Sequence, residues 1–398
     1  MASRRLWVLA GAGGTAASAS LLASSKKADN EESANIGSRT ALTSVANNFR
    51  TESWATAGEK WSVTKRTLHG GRQEGVDEIE VRNGPLQFTV LPTRGMSIGR
   101  LSVEGAPLSW QSPVREAVHP SHVDLQDFGG LGWLTGFNEW MVRCGVAFAG
   151  HPGVDDGTLL TLHGRIGNIP ASEVEVIVDE EAPHRIRVRG RVDEAMFKFC
   201  DFELWTEVST VPGSPELTIC DVLKNRSAYP KEYAMIYHTN FGPPLLQQGS
   251  RFVVGPRADV TPFNADAAAE LPSWQTYRAR TKGYGETVYC VTPKAGEEGL
   301  AHVALVDADA SSGVGLRYTA DTLPAFNLWK NTDLDDCHGY VTGLEPGTNF
   351  AHNRAKEREA GRVRSLGPHE QVAFGLAFTF LRNADEVRAV EQEIAASG

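Results

Sequence analysis

The sequence has little of what marks a disulfide-rich, nucleic-acid-binding or membrane-embedded protein. Its 398 residues include five cysteines, an odd number without close pairing, which fits neither a disulfide framework nor a C-x-x-C metal knuckle. The net charge is −10 and Lys and Arg form no long cluster, which argues against nucleic acid as a partner because phosphate binding needs a concentrated basic surface. A hydrophobic fraction of 41% and a charged fraction of 22% are typical of an ordinary globular protein. We therefore expect a globular body that contacts neither nucleic acid nor a membrane.

Helical periodicity is also scarce, since no stretch between residues 63 and 381 keeps a 3.6-residue period for more than three turns. Short alternating segments fill this region, and Asn83-Gly84 marks a tight hairpin between two of them. The alternation recurs in segments 173–178, 185–189, 197–208, 216–223, 252–254, 302–306 and 371–381. One helix is predicted at 383–396, with Asn383 as its cap. The sequence thus predicts an all-β fold, a large two-sheet antiparallel β-sandwich with a short C-terminal helix.

The first thirty residues differ from the rest of the chain. Arg4-Arg5 precede an uncharged stretch that runs to Ser25, and Ala17-Ser18-Ala19 offers a small-residue cleavage site. This arrangement resembles a twin-arginine export signal, so we expect export to the periplasm, with a membrane anchor or an organellar presequence as the alternatives. The predicted organisation is an export signal or anchor over 1–30, a flexible tether and lead-in segment over 31–62, and one β-sandwich domain over 63–398.

Three short motifs, far apart in the chain, carry an imidazole, a second imidazole and a carboxylate. They are Leu162-His163-Gly164-Arg165, Tyr237-His238-Thr239-Asn240 and Gly343-Leu344-Glu345-Pro346. In order and spacing they are similar to the galactose mutarotase (aldose 1-epimerase) superfamily, and a looser similarity extends from about residue 75 to 381. Other segments, such as Gly136-Phe137-Asn138-Glu139-Trp140, resemble a bacterial subgroup of that superfamily. The resemblance implies a galactose mutarotase-like supersandwich that acts on sugars.

Interconverting the anomers of a free sugar requires a base that removes the proton of the anomeric hydroxyl and an acid that protonates the ring oxygen. The resemblance implies that Glu345 is the base and His238 the acid, and that no cofactor takes part. The uncatalysed reaction already proceeds in water, so help of ~10²–10⁴-fold from each group is the relevant scale. The expected partner is therefore a monosaccharide or a modified sugar.

Substrate-binding residues are predicted around this acid and base. By resemblance, His163 contacts the sugar near its ring oxygen, and Arg143 lies where the superfamily carries a substrate arginine. In a strand, residues two apart face the same side, which places Arg165 beside His163 and Asn240 beside His238.

Two further candidates come from Asn327-Leu328-Trp329-Lys330. Trp329 offers an aromatic platform for the C–H face of a sugar, and Lys330 offers a cation. With Arg143 and Arg165 this would place three cations around one cleft, more than neutral hydroxyls need, which favours an anionic substituent on the sugar. The polar loops 116–136 and 349–361 are expected to shape the rim of the cleft.

Alternatives remain open. Gly95-Met96-Ser97-Ile98-Gly99 matches the nucleophile elbow of serine hydrolases, but a strand-like segment follows where the elbow needs a helix. Segments 119–124 and 335–338 hold His, Asp and Cys without the helical spacing of a zinc protease, so no metal is predicted, although a loop-borne ion stays possible. The same fold also suits a polysaccharide lyase, with Tyr237 or Arg165 in its reaction, a glycosidase, or a non-catalytic sugar-binding protein.

Overall fold

The computed structural model describes residues 36–296, 298–335 and 339–397. Strands dominate these ranges, and none of their helices is long and apolar enough to cross a membrane. The strands are β1 Ile36–Ser44, β2 Phe49–Arg50, β3 Trp54–Ala57, β4 Ser62–Thr67, β5 Asp77–Arg82, β6 Leu86–Leu91, β7 Ser97–Val103, β8 Ala106–Pro107, β9 Met141–Val146, β10 Gly153–Asp155, β11 Thr158–Leu160, β12 Glu173–Asp179, β13 Ile186–Met196, β14 Cys200–Thr210, β15 Glu216–Asn225, β16 Lys231–Phe241, β17 Arg251–Val254, β18 Asp259–Pro262, β19 Thr287–Thr292, β20 Leu300–Val306, β21 Gly313–Thr319, β22 Ala325–Thr332, β23 Tyr340–Gly347, β24 Arg364–Leu366 and β25 Gln371–Leu381. The helices are α1 Asp127–Gly130, α2 Ala265–Ala269, α3 Arg354–Glu359 and α4 Ala384–Ser397.

Two large antiparallel sheets pack against each other. The ten-stranded sheet runs β17-β20-β21-β25-β15-β14-β13-β12-β1-β2, and the main path of the thirteen-stranded sheet runs β18-β19-β22-β23-β16-β9-β7-β6-β5-β4-β3. Alternate residues of the strands point between the sheets, where Phe88 and Leu344 of one sheet share a core with Leu204 and Phe378 of the other. This arrangement confirms the predicted β-sandwich.

A second, smaller apolar cluster lies on the opposite face of the thirteen-stranded sheet. It contains Val142 and Cys144 of β9 and Ile236 of β16, and it is covered by Trp133 and Phe137 from the loop before β9. Neighbouring residues of the same strands belong to the core between the sheets, so β9 and β16 are buried on both faces. This covered outer face carries the candidate site.

Local predictions from turn and cap chemistry are confirmed. Asn83-Gly84 joins β5 to β6, and the Asn83 side chain accepts a hydrogen bond from the backbone N–H of Leu86 at 2.8 Å. Asn383 caps α4 by accepting from two backbone N–H groups of its first turn. Ser97 begins β7 and is fully buried, which is not the exposed turn that a nucleophile elbow requires.

The N-terminal part of the predicted organisation is changed by the structure. β1 pairs with β12 from Ile36 to Ser44, and β3 pairs with β4, so half of the residues of the expected tether and lead-in segment 31–62 belong to strands. The export signal or anchor predicted over 1–30 lies outside the described residues.

Candidate functional site

A row of side chains crosses five neighbouring strands on the covered face of the thirteen-stranded sheet. Cys290 of β19 lies opposite Asn327 of β22, which lies opposite Glu345 of β23. The register between β23 and β16 brings Glu345 opposite His238, and His238 in turn lies opposite Val142 of β9. Residues more than a hundred positions apart in the chain are thus adjacent because antiparallel pairing sets their register.

His238 and Glu345 are in direct contact. Nε2 of His238 lies 3.1 Å from Oε1 of Glu345, and the two residues are only 5% and 2% exposed. The contact is close but not aligned as a hydrogen bond, so Oε1 of Glu345 is buried without a hydrogen-bond partner. Nδ1, the other ring nitrogen of His238, is also buried without a partner. Buried polar atoms without partners are uncommon, and here they converge on one place.

Burial drives both groups towards their uncharged forms. It raises the pKa of the Glu345 carboxyl well above its usual range, and the nearby Glu286 carboxylate adds to that rise. Burial lowers the pKa of His238 from 6.5 to about 4, and the nearby Asn240 side chain offsets only part of that shift. Burial therefore favours a carboxylic acid beside a neutral imidazole as the resting form of the pair.

His163 reaches the same place from a turn rather than from a strand. Its φ is 57° and that of Gly164 is 74°, and a Cβ on Gly164 would lie 2.2 Å from the carbonyl oxygen of Phe148. The turn brings the His163 ring to 5.4 Å from the His238 ring. Burial, followed by repulsion from His238 and His151, lowers the pKa of His163 well below its usual value. Its Nδ1 is buried without a partner, so His163 presents a neutral imidazole to the site.

The expectation that Arg165 shares a face with His163 is wrong, because the motif is not a strand. The Arg165 guanidinium turns towards the other sheet and binds the Glu194 carboxylate at 2.8 Å. Its remaining contacts are with the sulfur atoms of Met196 and Cys200, each at 3.7 Å. The structure does not bring Arg165 to the acid–base pair.

Arg143 is also misplaced by the sequence prediction. It lies between the sheets, where its Nε and Nη2 donate to the Asp221 carboxylate at 2.5 and 3.0 Å. Its neighbours Val142 and Cys144 are the residues of β9 that face the site, so Arg143 faces away by strand alternation. Tyr237, the candidate for a lyase reaction, shares this interior position and donates to Asp221 at 2.8 Å.

Lys330 and Trp329 lie on opposite faces of β22, and only one of them faces the site. The Lys330 ammonium donates to the carbonyl oxygens of Trp274 and Thr276 at 2.9 and 2.8 Å, on the core side of β22. Trp329 faces the site, with its ring 5.5 Å from that of His238. The three cations expected to surround the substrate therefore point elsewhere, and the original reason for expecting an anionic sugar is lost.

Asn240 lies beside His238 as predicted from its position two residues along the strand. Its Nδ2 donates to the carbonyl oxygen of Glu139 at 2.9 Å, which holds the amide in place. Its carbonyl oxygen has no aligned donor, although the Asn240 side chain favours the protonated form of His238. Asn240 therefore lies next to the imidazole of the pair, and its Nδ2 also donates to the backbone carbonyl oxygen of His238 at 3.4 Å.

The Glu345 carboxyl group occupies the place that a side chain on Gly343 would take. It pairs with Trp329 on one side and with Asn240 on the other, in the row next to the acid–base pair. A Cβ at this position would lie 2.3 Å from Oε1 of Glu345. The missing side chain, rather than an unusual backbone conformation, is what this position requires.

Aromatic rings cover the pair. The rings of Trp133 and Phe137 lie 5.9 and 5.2 Å from that of His238, and Trp133 also lies 4.8 Å from the ring of His163. Trp329 completes the cover, with its Nε1 donating to Glu286 at 2.8 Å. A separate cleft of about 570 Å³ beside β1 and β3 contains none of these residues. The candidate site is thus an acid–base pair buried beneath aromatic rings.

Comparisons with known proteins agree with this architecture. A family model described as a domain of unknown function (DUF4432) matches residues 73–380. A solved structure from Klebsiella pneumoniae, described as a "putative aldose 1-epimerase", is 41% identical over 90% of this chain and 95% of that chain, with a TM-score of 0.88. The chain belongs to the DUF4432 family.

More distant structures share the fold of this DUF4432 protein. A galactose mutarotase-like protein from Clostridium acetobutylicum is 13% identical over 83% of this chain and 99% of that chain, with a TM-score of 0.54. A galactose mutarotase related enzyme from Lactobacillus acidophilus is 12% identical over 77% and 98%, with a TM-score of 0.53. No curated protein matches the chain.

Several residues of the DUF4432 site were missed by sequence reasoning. Asn327 accepts from the backbone N–H of Ala351 at 2.9 Å, while its Nδ2 is buried beside Glu345 without a partner. Its position two residues before Trp329 was an available signal, since alternation puts both on one face. Trp133 and Phe137 come from the loop expected to shape the cleft, but no periodicity within a loop indicates which side chains turn inwards.

No metal centre is apparent in the part of the chain that the structure describes. Within it, no group of three or more His, Cys, Asp or Glu side chains is arranged to hold an ion. In the first loop cluster, Nδ1 of His119 instead contacts the Ser121 hydroxyl at 2.8 Å. Residues 336–338 of the second cluster lie outside the described residues.

Proposed function

We propose that this protein is an aldose 1-epimerase that interconverts the anomers of a sugar by acid–base opening and closing of the ring. The observation that carries the proposal is the 3.1 Å contact between His238 and Glu345, buried under aromatic rings. Support also comes from the Klebsiella pneumoniae structure, whose description names that activity.

The reaction needs only proton transfers. Glu345 as carboxylate takes the proton of the anomeric hydroxyl, while protonated His238 gives its proton to the ring oxygen. The bond between C1 and the ring oxygen breaks as the carbonyl bond at C1 forms. Rotation about the C1–C2 bond presents the other carbonyl face, and the reverse transfers close the ring and restore both groups.

Contact between the two side chains suits this reaction because both reacting oxygens are bonded to the same carbon. Acid and base must therefore act within a few ångströms of each other, which the facing strands β16 and β23 provide. The resting pair, a carboxylic acid beside a neutral imidazole, has the same number of protons as the reactive ion pair. Moving one proton across the 3.1 Å contact converts one form into the other.

Neighbouring groups favour sugar binding over binding of a lone water molecule. Nδ2 of Asn327 and Nδ1 of His163 are buried polar atoms without partners, suited to hydroxyl groups. Trp329 offers an aromatic face beside the imidazole of His238.

The test is anomer exchange in a panel of free aldoses, followed by exchange NMR or polarimetry. Glu345→Gln and His238→Asn are each expected to slow exchange by ~10²–10⁴-fold. Glu216→Gln serves as the matched control, because Glu216 is another carboxyl group with a burial-raised pKa but lies on β15 of the other sheet.

Exchange at the wild-type rate in both site variants would refute the assignment. Sugar binding without exchange in the wild-type protein would instead indicate a binding protein. Digestion of acidic polysaccharides provides a further discrimination, because a lyase yields unsaturated products that absorb ultraviolet light and an epimerase does not.

A further inference from the structure

A buried guanidinium connects the segments that surround the acid–base pair. Arg94 ends a short turn between β6 and β7, and only 1% of its side chain is exposed. Within the described part of the chain its hydrogen bonds go to Gly136, Glu139 and Asn168, and none of them reaches the acid–base pair. Any effect of Arg94 on the pair therefore acts through these three neighbours.

The first two neighbours belong to the segment that carries the aromatic cover. Nη2 of Arg94 donates to the carbonyl oxygen of Gly136 at 3.2 Å and to Oε1 of Glu139 at 2.8 Å, and Nε donates to the same carboxylate oxygen at 3.1 Å. Phe137 lies between these acceptors in the chain, and its ring packs 4.6 Å from that of Trp133. A Cβ on Gly136 would lie 2.7 Å from Nη2, so glycine leaves room for the guanidinium. Arg94 thus fixes the backbone on both sides of Phe137.

Glu139 also connects Arg94 to the strand of His238. The backbone carbonyl oxygen of Glu139 accepts from Nδ2 of Asn240 at 2.9 Å, and Asn240 lies next to the His238 imidazole. The side chain of Glu139 is fully buried, and a buried carboxylate is stable only with its cation. The position of Asn240 therefore depends on Glu139, and that of Glu139 depends on Arg94.

The third neighbour belongs to the turn that carries His163. Nη1 of Arg94 donates to the side-chain carbonyl oxygen of Asn168, five residues after His163. Gly95 packs against the same turn, since a Cβ at that position would lie 2.2 Å from the carbonyl oxygen of Ile166. One side chain therefore links the His163 turn to the aromatic cover.

These contacts require the shape of an arginine side chain. A guanidinium is planar and carries five N–H donors in fixed directions, whereas a lysine ammonium is a single point of charge on a flexible stem. A lysine in place of Arg94 would keep a positive charge beside Glu139. It could not span the separate acceptors on Gly136 and Asn168 at the same time.

The geometry points to Arg94 as a positioning residue that holds the aromatic cover and the His163 turn in place around the acid–base pair. This inference rests on the proposed function, because positioning affects anomer exchange only if exchange takes place at that pair. Shielding of the two imidazoles, in contrast, is a property of the protein without any sugar. Misplacing a site residue by about 1 Å can cost about a hundredfold in rate, so loss of these contacts should be measurable.

Chemical access to the imidazoles tests this role without an activity measurement. Diethyl pyrocarbonate modifies imidazoles that solvent reaches, and peptide mapping by mass spectrometry assigns each modified histidine. At pH 7 we expect Arg94→Lys to speed the modification of His163 and His238 by about tenfold or more, because the cover opens more often. His69, whose side chain is 75% exposed, serves as the internal standard in each protein.

Two further variants serve as controls. Arg143→Lys alters an equally buried ion pair, that of Arg143 with Asp221 between the sheets, so it should lower stability and leave both modification rates at the wild-type value. Asn168→Ala removes only the contact with the His163 turn, at a half-buried position where truncation leaves the fold intact. It should speed the modification of His163 and leave that of His238 unchanged.

Anomer exchange is then measured in the same proteins. Arg94→Lys should lower kcat about tenfold to a hundredfold, while Arg143→Lys stays near the wild-type value. Unchanged access in Arg94→Lys, equal increases in both arginine variants, or increased access without a fall in kcat would overturn the positioning role. The first two of these results, with exchange in the wild-type protein, would leave the proposed function standing. Increased access in Arg94→Lys alone, without exchange by the wild-type protein, would uphold the shielding role and refute the proposed activity.

Discussion

Replacing His238 by Asn should make the fold more resistant to acid, although it removes the proposed acid catalyst. Burial lowers the pKa of His238 from 6.5 to about 4, so the folded protein resists protonation of a ring that the unfolded chain protonates readily. Because the folded state binds fewer protons at this position, stability is lost as the pH falls from 6.5 towards 4. At about 1.4 kcal/mol for each pH unit between the two values, the full loss is about 3 kcal/mol.

Urea unfolding at pH 7 and at pH 5 measures this effect. Between these pH values the free energy of unfolding of the wild-type protein is expected to fall by about 2 kcal/mol more than that of His238→Asn. The other buried histidines are present in both proteins, so their contributions cancel. The matched control is His302→Asn, since burial lowers the pKa of His302 to about 3 on β20 of the other sheet.

Both variants should become more resistant to acid. His302→Asn should keep anomer exchange, whereas His238→Asn should lose it. If the difference in unfolding free energy between wild type and His238→Asn changed by less than about 0.5 kcal/mol from pH 7 to pH 5, the folded imidazole would titrate like an exposed one. The neutral resting pair would then be refuted.

Two further substitutions test the packing on either face of the same sheet. Gly343→Ala places a Cβ 2.3 Å from Oε1 of Glu345, so exchange should fall by about tenfold or more while circular dichroism stays unchanged; wild-type exchange would show that the carboxyl position is not needed. Arg143→Met leaves Asp221 buried without its cation, and urea unfolding should show a loss of about 3–5 kcal/mol that the double substitution with Asp221→Leu largely restores. A double variant as unstable as the single one would contradict the role of the ion pair.

Strand patterns in the sequence predicted the sandwich because alternation, turn residues and caps are local properties. The hairpin at Asn83-Gly84 and the cap at Asn383 depend on a few neighbouring residues, and both are found where they were expected. Which strands pair depends on residues that are far apart in the chain. His238 and Glu345 could still be assigned to one site because each lies in a distinct motif.

The substrate cations were misassigned because alternation defines two faces of a strand without saying which one meets the site. Arg143 and Lys330 differ by a single position from residues that do face it, Cys144 and Trp329. The prediction for Arg165 was wrong for another reason. The positive φ of His163 ends any strand there, so the alternation of strand residues does not apply.

The aromatic cover has a consequence for how tightly any ligand is held. Beneath Trp133, Phe137 and Trp329 the acid–base pair has almost no contact with bulk water. If a ligand can enter only when these rings move aside, its apparent dissociation constant is raised in inverse proportion to the fraction of molecules in which they have moved. The same closure slows the loss of the single proton to the surrounding solvent, so each molecule would begin a new turnover with the proton already in place.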